Sequence, residues 1–494
     1  MTAPRLFCGA VLASFAPLVA QVYDYVPPPG DIVLSTDDTL IQPVGGPPIR
    51  VTGGVFRFRH VYIGPGTKVR GVGSKPMLWL VDTMTIAGEL SVSGSDGQSV
   101  DTLNSANFPA AGGQGGAAGG DGGVGSPSAL ARSLTGGRGN GVGNALGLGG
   151  AGGILAVGSL FTFPPQQHGS GGGGGAFATF GDPHYRSPAL AGTAFPQRGG
   201  QGGFGGNAGP SGSAGRNVPG GVAGLRPFAD ATDENDFLGY GYDVARSRFV
   251  PGELPFFVGG GGGGGGGDLA PNANPLDPNW INDARGAGGG GGGGCLIVAA
   301  GTGITVYAPG RITANGGHGG GGEQAGSCNA GGGGGGGAGG LIVLGTAGSI
   351  MLQVQGETYA NRDYDFVVSA DGGVCRTGAF GPVVVPGKYP GNGLNTIAGG
   401  DYDRLGLGGF GGMGIVQFVV PPGDNSDGTN TYLDDRIVLM RGAFPLFGAE
   451  KRRFLAWRGY ENANGVRVDD FGNPTNIGSN EGDIRPAPVL VPLF

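Results

Sequence analysis

The chain has 494 residues, of which 119 are glycine and 36 proline; only 13% are charged, and the formal net charge is −7. Glycine stands at several times its ordinary usage of about 7%, yet 38% of residues are hydrophobic, which argues against a wholly disordered chain. The acidic balance without basic clusters argues against a nucleic-acid partner, and the density of glycine and proline argues against a helical fold.

Residues 1–20 read as a secretory signal. Arg5 supplies a positive start, and Leu6 to Ala20 is an apolar stretch ending in small residues, with Leu18 standing where a small residue is preferred. The stretch is shorter than the roughly 20 residues that span a membrane, and no later one is long enough, so no transmembrane segment is expected and the protein is placed outside the cell or on its surface. Cys8 would leave with the signal. Cys295, Cys328 and Cys375 remain, an odd number, with Cys295–Cys328 or Cys328–Cys375 as candidate disulfides and three unlinked thiols as the alternative. Their spacing does not suit zinc.

Residues 21–110 contain a repeat. Val55 to Gly71 aligns without gaps on Leu78 to Gly94 at an offset of 23, pairing Phe56 with Trp79, Val61 with Met84, Ile63 with Ile86 and Val69 with Val92. Within each copy apolar residues alternate, which is strand periodicity. Short strands and tight turns at a period in the low twenties predict parallel β-helix-like coils, each burying its apolar side on the next. An antiparallel sandwich is the competing reading, but it would not predict register between copies.

Residues 111–432 mix strands with glycine tracts at 112–125, 136–153, 171–175, 199–206, 259–267, 288–294, 316–322, 331–340 and 406–412. Ile304 to Gly316 repeats the Met84–Gly94 pattern with a small insertion. Glycine tracts run straight into apolar strands at Leu296 and Leu341, which align at an offset of 45, and again at Gly149–Phe163 and Gly408–Val420. As linkers the tracts would be flexible. As packed polyglycine II helices, with three residues per turn and no internal hydrogen bonds, they would pair every backbone group with a neighbour. Their low serine content, alanine interruptions and number favour packing. Ordering costs about 1–2 kcal/mol per residue, so the array must be collective, with each strand fixing a tract's direction and register. The predicted fold class is therefore all-β, with parallel β-helix-like coils interleaved with polyglycine II tracts.

The inserts between tracts are aromatic-rich. Phe177, Phe180, His184 and Tyr185 lie in one; Phe228, Phe237, Tyr240, Tyr242 and Phe249 in another; Trp280 ends a third. Aromatics beside Asp or Asn suit carbohydrate faces, so Tyr185, Tyr240, Tyr242 and Trp280 are candidate ligand-binding residues; the alternative is that the aromatics cover the array's edge as packing. Asp424, Asp427, Asn430 and Asp435 around Gly428 resemble a calcium loop in which Asp427 and Gly428 come one place early, and a polar turn is the alternative. No other cofactor is expected. Residues 433–494 hold less glycine and several Arg and Lys residues, and read as a C-terminal cap over the last coil.

The run Ile86-x-Gly88-x-Leu90-x-Val92-x-Gly94, continuing towards the tract at 112–125, resembles glycine-rich secreted bacterial surface proteins of the β-helix type. The tracts themselves resemble the polyglycine II tips of phage tail adhesins. These resemblances imply surface recognition through loops and bring no catalytic residues. The expected function is structural or adhesive, with a surface glycan or another copy of the chain as partner. The alternative is a polysaccharide lyase or hydrolase, which would need acid–base groups on one face of adjacent coils. The 23-residue register offers only Arg59 over Asp82 and His60 over Thr83, and Asp182 and His184 come without a nucleophile motif. No enzyme activity is expected.

Overall fold

A computed structural model describes residues 23–100, 109–126, 135–153, 169–178, 221–225, 237–243, 248–254, 256–267, 285–325, 329–354, 367–373, 408–409, 411–421, 436–447, 451 and 488–493, with short strand pieces at 156–157, 167–168, 206–207, 217–218, 269–270, 460–461, 467–468 and 484–485. The described residues are nearly all strand, turn or extended tract, so the protein is all-β. None of their helices is long and apolar enough to cross a membrane. The segment read as a signal, 1–20, lies outside them.

The first seven strands are β1 (Gly30–Ser35), β2 (Asp38–Ile41), β3 (Ile49–Thr52), β4 (Val55–Ile63), β5 (Thr67–Val72), β6 (Met77–Ile86) and β7 (Glu89–Ser91). β2 and β3 form an antiparallel hairpin. The others enter two sheets. In the first sheet β1, β5, β7, Arg311–Thr313, Val368–Ser369 and Ile484–Arg485 lie side by side in chain order, all parallel. In the second, β4, β6 and Cys295–Val306 are followed by Leu341–Thr346 and Ser349–Val354 on the two halves of the long strand. Ile415–Val420, Ile437–Arg441 and Val489–Pro492 then continue the sheet, again in parallel. Residues 433–494, expected to cap the last coil, supply edge strands to both sheets.

The 23-residue offset is the register of β4 on β6, with Phe56 opposite Trp79, Val61 opposite Met84 and Ile63 opposite Ile86. The 45-residue offset needs correction. Cys295, not Leu296, sits opposite Leu341, so the true step is one residue longer. The error flips faces, since side chains alternate along a strand. Cys295 acts as an apolar strand residue here, and its side chain joins the buried cluster that holds Leu341 and Ile415. The small insertion expected in the Ile304–Gly316 copy falls at the corner Tyr307–Gly310. Before it Val306 pairs with Ile86, and after it Ile312 pairs with Leu90.

These registers line up inward side chains across the strands. One column runs Phe56, Trp79, Val298, Leu344, Phe418 and Leu490. A second runs Val61, Met84, Ile304, Ile350 and Ile437. The first sheet contributes Val69, Leu90, Ile312, Val368 and Ile484. All but Leu490 are buried members of one core. Each buried side chain of this size contributes about 1.5–3 kcal/mol.

β4 alternates apolar and polar residues because its other face meets water. Cys295–Val298 and Leu341–Leu344 are continuously apolar, and Ile415–Val420 is so apart from the buried Gln417, because both of their faces are covered. Their second face packs against Ala118, Phe177, Phe237, Leu238, Leu254 and Val258.

Arg59 makes its ion pair with Asp24, and Asp82, which its register neighbours place opposite it, acts on it through charge alone. Its guanidinium forks onto Asp24, Nε to Oδ1 at 2.9 Å and Nη2 to Oδ2 at 3.0 Å. These hydrogen bonds hold the Asp24 carboxyl below its ordinary value of 3.8. His60 does lie over Thr83, with Nδ1 2.6 Å from Oγ1.

Candidate functional site

The glycine tracts leave and enter the sheets directly. Residues 288–294 run into the Cys295 strand, 331–340 into the Leu341 strand and 411–414 into the Ile415 strand. On the other side, 92–100 leaves β7, 314–322 leaves Arg311–Thr313 and 370–373 leaves Val368–Ser369. Each strand thus fixes where a tract begins or ends.

In the tract 259–267 the backbone hydrogen bonds repeat every three residues. The N–H groups of Gly260, Gly263 and Gly266 donate to Gly293, Gly290 and Ala287 at 2.8, 2.9 and 2.7 Å. Those of Gly262 and Gly265 donate to Asn140 and Gly137, and those of Gly261, Gly264 and Gly267 to Ala176, Gly173 and Ser170. The carbonyls repeat the pattern towards three further segments: Gly120, Gly123 and Ser126 donate to Gly260, Gly263 and Gly266; Gly150 and Gly153 to Gly262 and Gly265; Ala338, Gly335 and Gly332 to Gly261, Gly264 and Gly267. One tract is therefore bonded to six neighbours, and its glycines are buried. The tract 287–294 likewise bonds to segments at 92–98, 113–116, 117–123, 260–266, 317–320 and 332–338.

Such contact requires glycine. A Cβ built on Gly263 would fall on the Gly335 carbonyl, one on Gly262 on the Asp121 carbonyl and one on Gly264 on the Ala151 carbonyl. Two of the tracts read as single pieces are each two antiparallel legs. The first reverses at Ala117–Ala118, where Ala118 has φ +60° and Gly122 donates back to Gly113. The second reverses at 142–147, with Gly139 and Gly136 donating to Gly150 and Gly153. The tract 199–206 lies outside the described residues apart from Gly206.

One leg escaped the sequence reading. Residues 92–100 lie along 313–321, with Gly94, Gly97 and Val100 donating to Asn315, His318 and Gly321. The return N–H groups of those three residues reach side chains instead: Ser93 Oγ at 2.9 Å, Asp96 Oδ1 at 2.8 Å and Ser99 Oγ at 3.0 Å. The signal was present as a polar residue every third position beside Gly94 and Gly97. Ser93→Ala removes the acceptor for Asn315 N–H and a hydroxyl bond to Thr313 Oγ1 at 3.0 Å. It should lower stability by about 1–2 kcal/mol in urea unfolding and speed amide exchange at Asn315. An unchanged midpoint would show that the side-chain ladder adds nothing.

At the end of the 285–294 leg remote from the strand, Arg285 is 8% exposed and grips Glu323. Its backbone N–H and Nε both donate to Oε2, at 3.1 and 2.8 Å, while Nη2 reaches Oε1 at 3.3 Å. The Glu323 N–H returns to the Arg285 carbonyl at 2.9 Å, clasping the 285–294 leg to the 314–323 leg.

Of the candidate ligand-binding residues, Tyr240 and Tyr242 lie on a hairpin made by Tyr240–Asp243 and Arg248–Pro251. Phe237, Leu238 and Leu254 bury the hairpin's base in the apolar layer over the second sheet. Gln417 clamps Leu238 by accepting its N–H at 3.1 Å and donating to its carbonyl at 2.8 Å. Phe177 and Phe237 are buried and serve as packing. Tyr185 and Trp280 lie outside the described residues, as do Asp424, Asp427, Asn430 and Asp435. Among the described residues no group of three or more His, Cys, Asp or Glu side chains converges as on a metal ion.

Cys295 is a free thiol, fully buried; Cys328 and Cys375 lie outside the described residues. Burial pushes the Cys295 thiol up, so almost no thiolate forms at neutral pH. Native protein should therefore leave Cys295 unalkylated by iodoacetamide over hours, and urea should expose it, as peptide mapping would read. Rapid native labelling would mean that the Cys295 strand opens locally.

No protein family, curated protein or solved structure matches this chain.

Proposed function

We propose that the chain is an exported structural and adhesive protein of a bacterial surface. In this reading parallel β-helix-like coils support an array of polyglycine II helices, and the array presents loops outward. The columns of stacked apolar residues across strands in chain order support the coil reading. The three-residue repeat of sideways hydrogen bonds supports the polyglycine II reading. The observation that carries the functional conclusion is the six-neighbour bonding of the tract 259–267. A backbone fixed in every lateral direction is stiff, and a stiff scaffold positions loops for recognition. The inserts that carry Tyr185, Tyr240, Tyr242 and Trp280 in the sequence are proposed to meet a surface glycan.

The test is binding of the full chain to immobilised cell envelopes and to a glycan array. Binding should disappear in Tyr240→Ala and Trp280→Ala while amide exchange in the array stays as slow as in the parent protein. Parent protein that binds nothing, or loop variants that bind as the parent does, would remove the adhesive role and leave the structural one.

A further inference from the structure

A groove of about 310 Å3 lies on the outer face of the first sheet, between β1, β5, β7 and the leg that leaves β7. Sites for small molecules begin near about 300 Å3. The strand pleat builds it. Ile32, Val69 and Leu90 point inward, so their neighbours Asp31, Val33, Lys68, Arg70 and Ser91 share the opposite face. Register places Val33 beside Arg70 and Arg70 beside Ser91. The far wall is the leg from β7, whose side chains are already held: Asp96 Oδ1 by His318 N–H at 2.8 Å, and Ser95 Oγ by Gln114 N–H at 2.7 Å.

The groove's charges decide what fits it. Lys68 Nζ is tied to Glu89 Oε1 at 3.0 Å. Arg70 makes no ion pair or side-chain hydrogen bond among the described residues, so its guanidinium fork faces the groove uncommitted. Asp31 and Asp96 also line the groove. With Lys68 neutralised by Glu89, the groove keeps the Arg70 cation beside the carboxylates of Asp31 and Asp96, so a plain anion and a plain cation each meet a like charge. A neutral ligand rich in hydroxyls uses both signs: the Asp31 carboxylate accepts from adjacent hydroxyls, and the Arg70 fork donates to a pair of hydroxyl oxygens. Val33, 59% exposed, offers an apolar surface to the C–H face of a sugar ring. We propose that this groove binds a neutral saccharide. The site goes beyond the adhesive loops, since it is built on the sheet and uses none of their residues. Its scaffold is rigid, so little ordering opposes binding.

The experiment is calorimetric titration of the full chain with maltotriose, cellotriose and tri-N-acetylchitotriose, with trigalacturonate and triglucosamine as charged probes. At least one neutral probe should bind. Arg70→Met and Asp31→Asn should each weaken that binding by about tenfold or more, with the thermal midpoint unchanged. Asp31→Asn keeps the side chain's shape at an exposed position, so it carries the test if Arg70→Met disturbs folding. The proposal is overturned if no neutral probe binds, if a charged probe binds more tightly than every neutral one, or if both variants bind as the parent does. Loss in Tyr240→Ala and Trp280→Ala alone would also overturn it, while leaving the loop reading intact.

Discussion

Gly263→Ala should lower the free energy of unfolding by about 2–4 kcal/mol, whereas Gly301→Ala should raise it by about 0.4–1 kcal/mol. The two substitutions add the same methyl group and remove the same unfolded-state freedom. They differ in what the methyl meets. At Gly263 it falls on the carbonyl of Gly335. That backbone cannot yield alone, because Gly335 donates to Gly264 and accepts from Gly290 at 2.8 Å each. The legs must separate, and the bonds of Gly263 to Gly290 and of Gly123 to Gly263 lengthen with them. At Gly301 the nearest atom is the Asp82 Cα at 3.7 Å, which is ordinary contact. Here only the unfolded-state gain remains. Urea unfolding of both variants measures the difference; equal effects at the two sites would mean that the tract does not pack as described.

Trp79→Ala should cost about 3–5 kcal/mol, the largest effect of any single truncation in the core. Trp79 is fully buried and stands between Phe56 and Val298 in its column. Its ring stacks on Phe56 at 4.8 Å and on Tyr25 at 5.9 Å. Its strand also joins the N-terminal strands to the Cys295 strand, so a cavity there loosens the base on which the array is anchored. Trp79→Phe should cost less than about 1.5 kcal/mol. Among the described residues the buried indole Nε1–H has no hydrogen-bond partner, and removing it recovers part of the lost contact energy. Chemical unfolding of both variants decides the point. A Phe variant as unstable as the Ala variant would show that shape alone governs this position.

The parts of this architecture legible from sequence are those in which side chains carry the instruction. The alternation in Val55–Ile63 and Met77–Ile86 specifies a face, and the face specifies the register that pairs Phe56 with Trp79. Where both faces are buried, alternation disappears, and the Leu-Ile-Val shared by 296–298 and 341–343 suggests a register one residue away from the true Cys295–Leu341 pairing. Within the tracts the difficulty is deeper. Glycines carry nothing to distinguish Gly290 from Gly335 as a partner, so packing could be expected but the neighbours of 259–267 could not be named. The leg at 92–100 was missed because its outer positions hold Ser93, Asp96 and Ser99 in place of glycine. The groove was invisible for another reason. It exists only because β1 lies beside β5, bringing Asp31 and Val33 to Lys68 and Arg70, and no repeat announces that pairing.

The central claim is that side-chain-free backbone becomes solid when its N–H and C=O groups find lateral partners. Hydrogen exchange resolved to single glycines reads it directly. Amides of Gly260–Gly266, Gly288–Gly294 and Gly332–Gly337 should exchange many orders of magnitude more slowly than a free peptide, together with the core amides of Leu296 and Leu344. Exchange of those glycines at free-peptide rates, with the core amides still protected, would contradict the account.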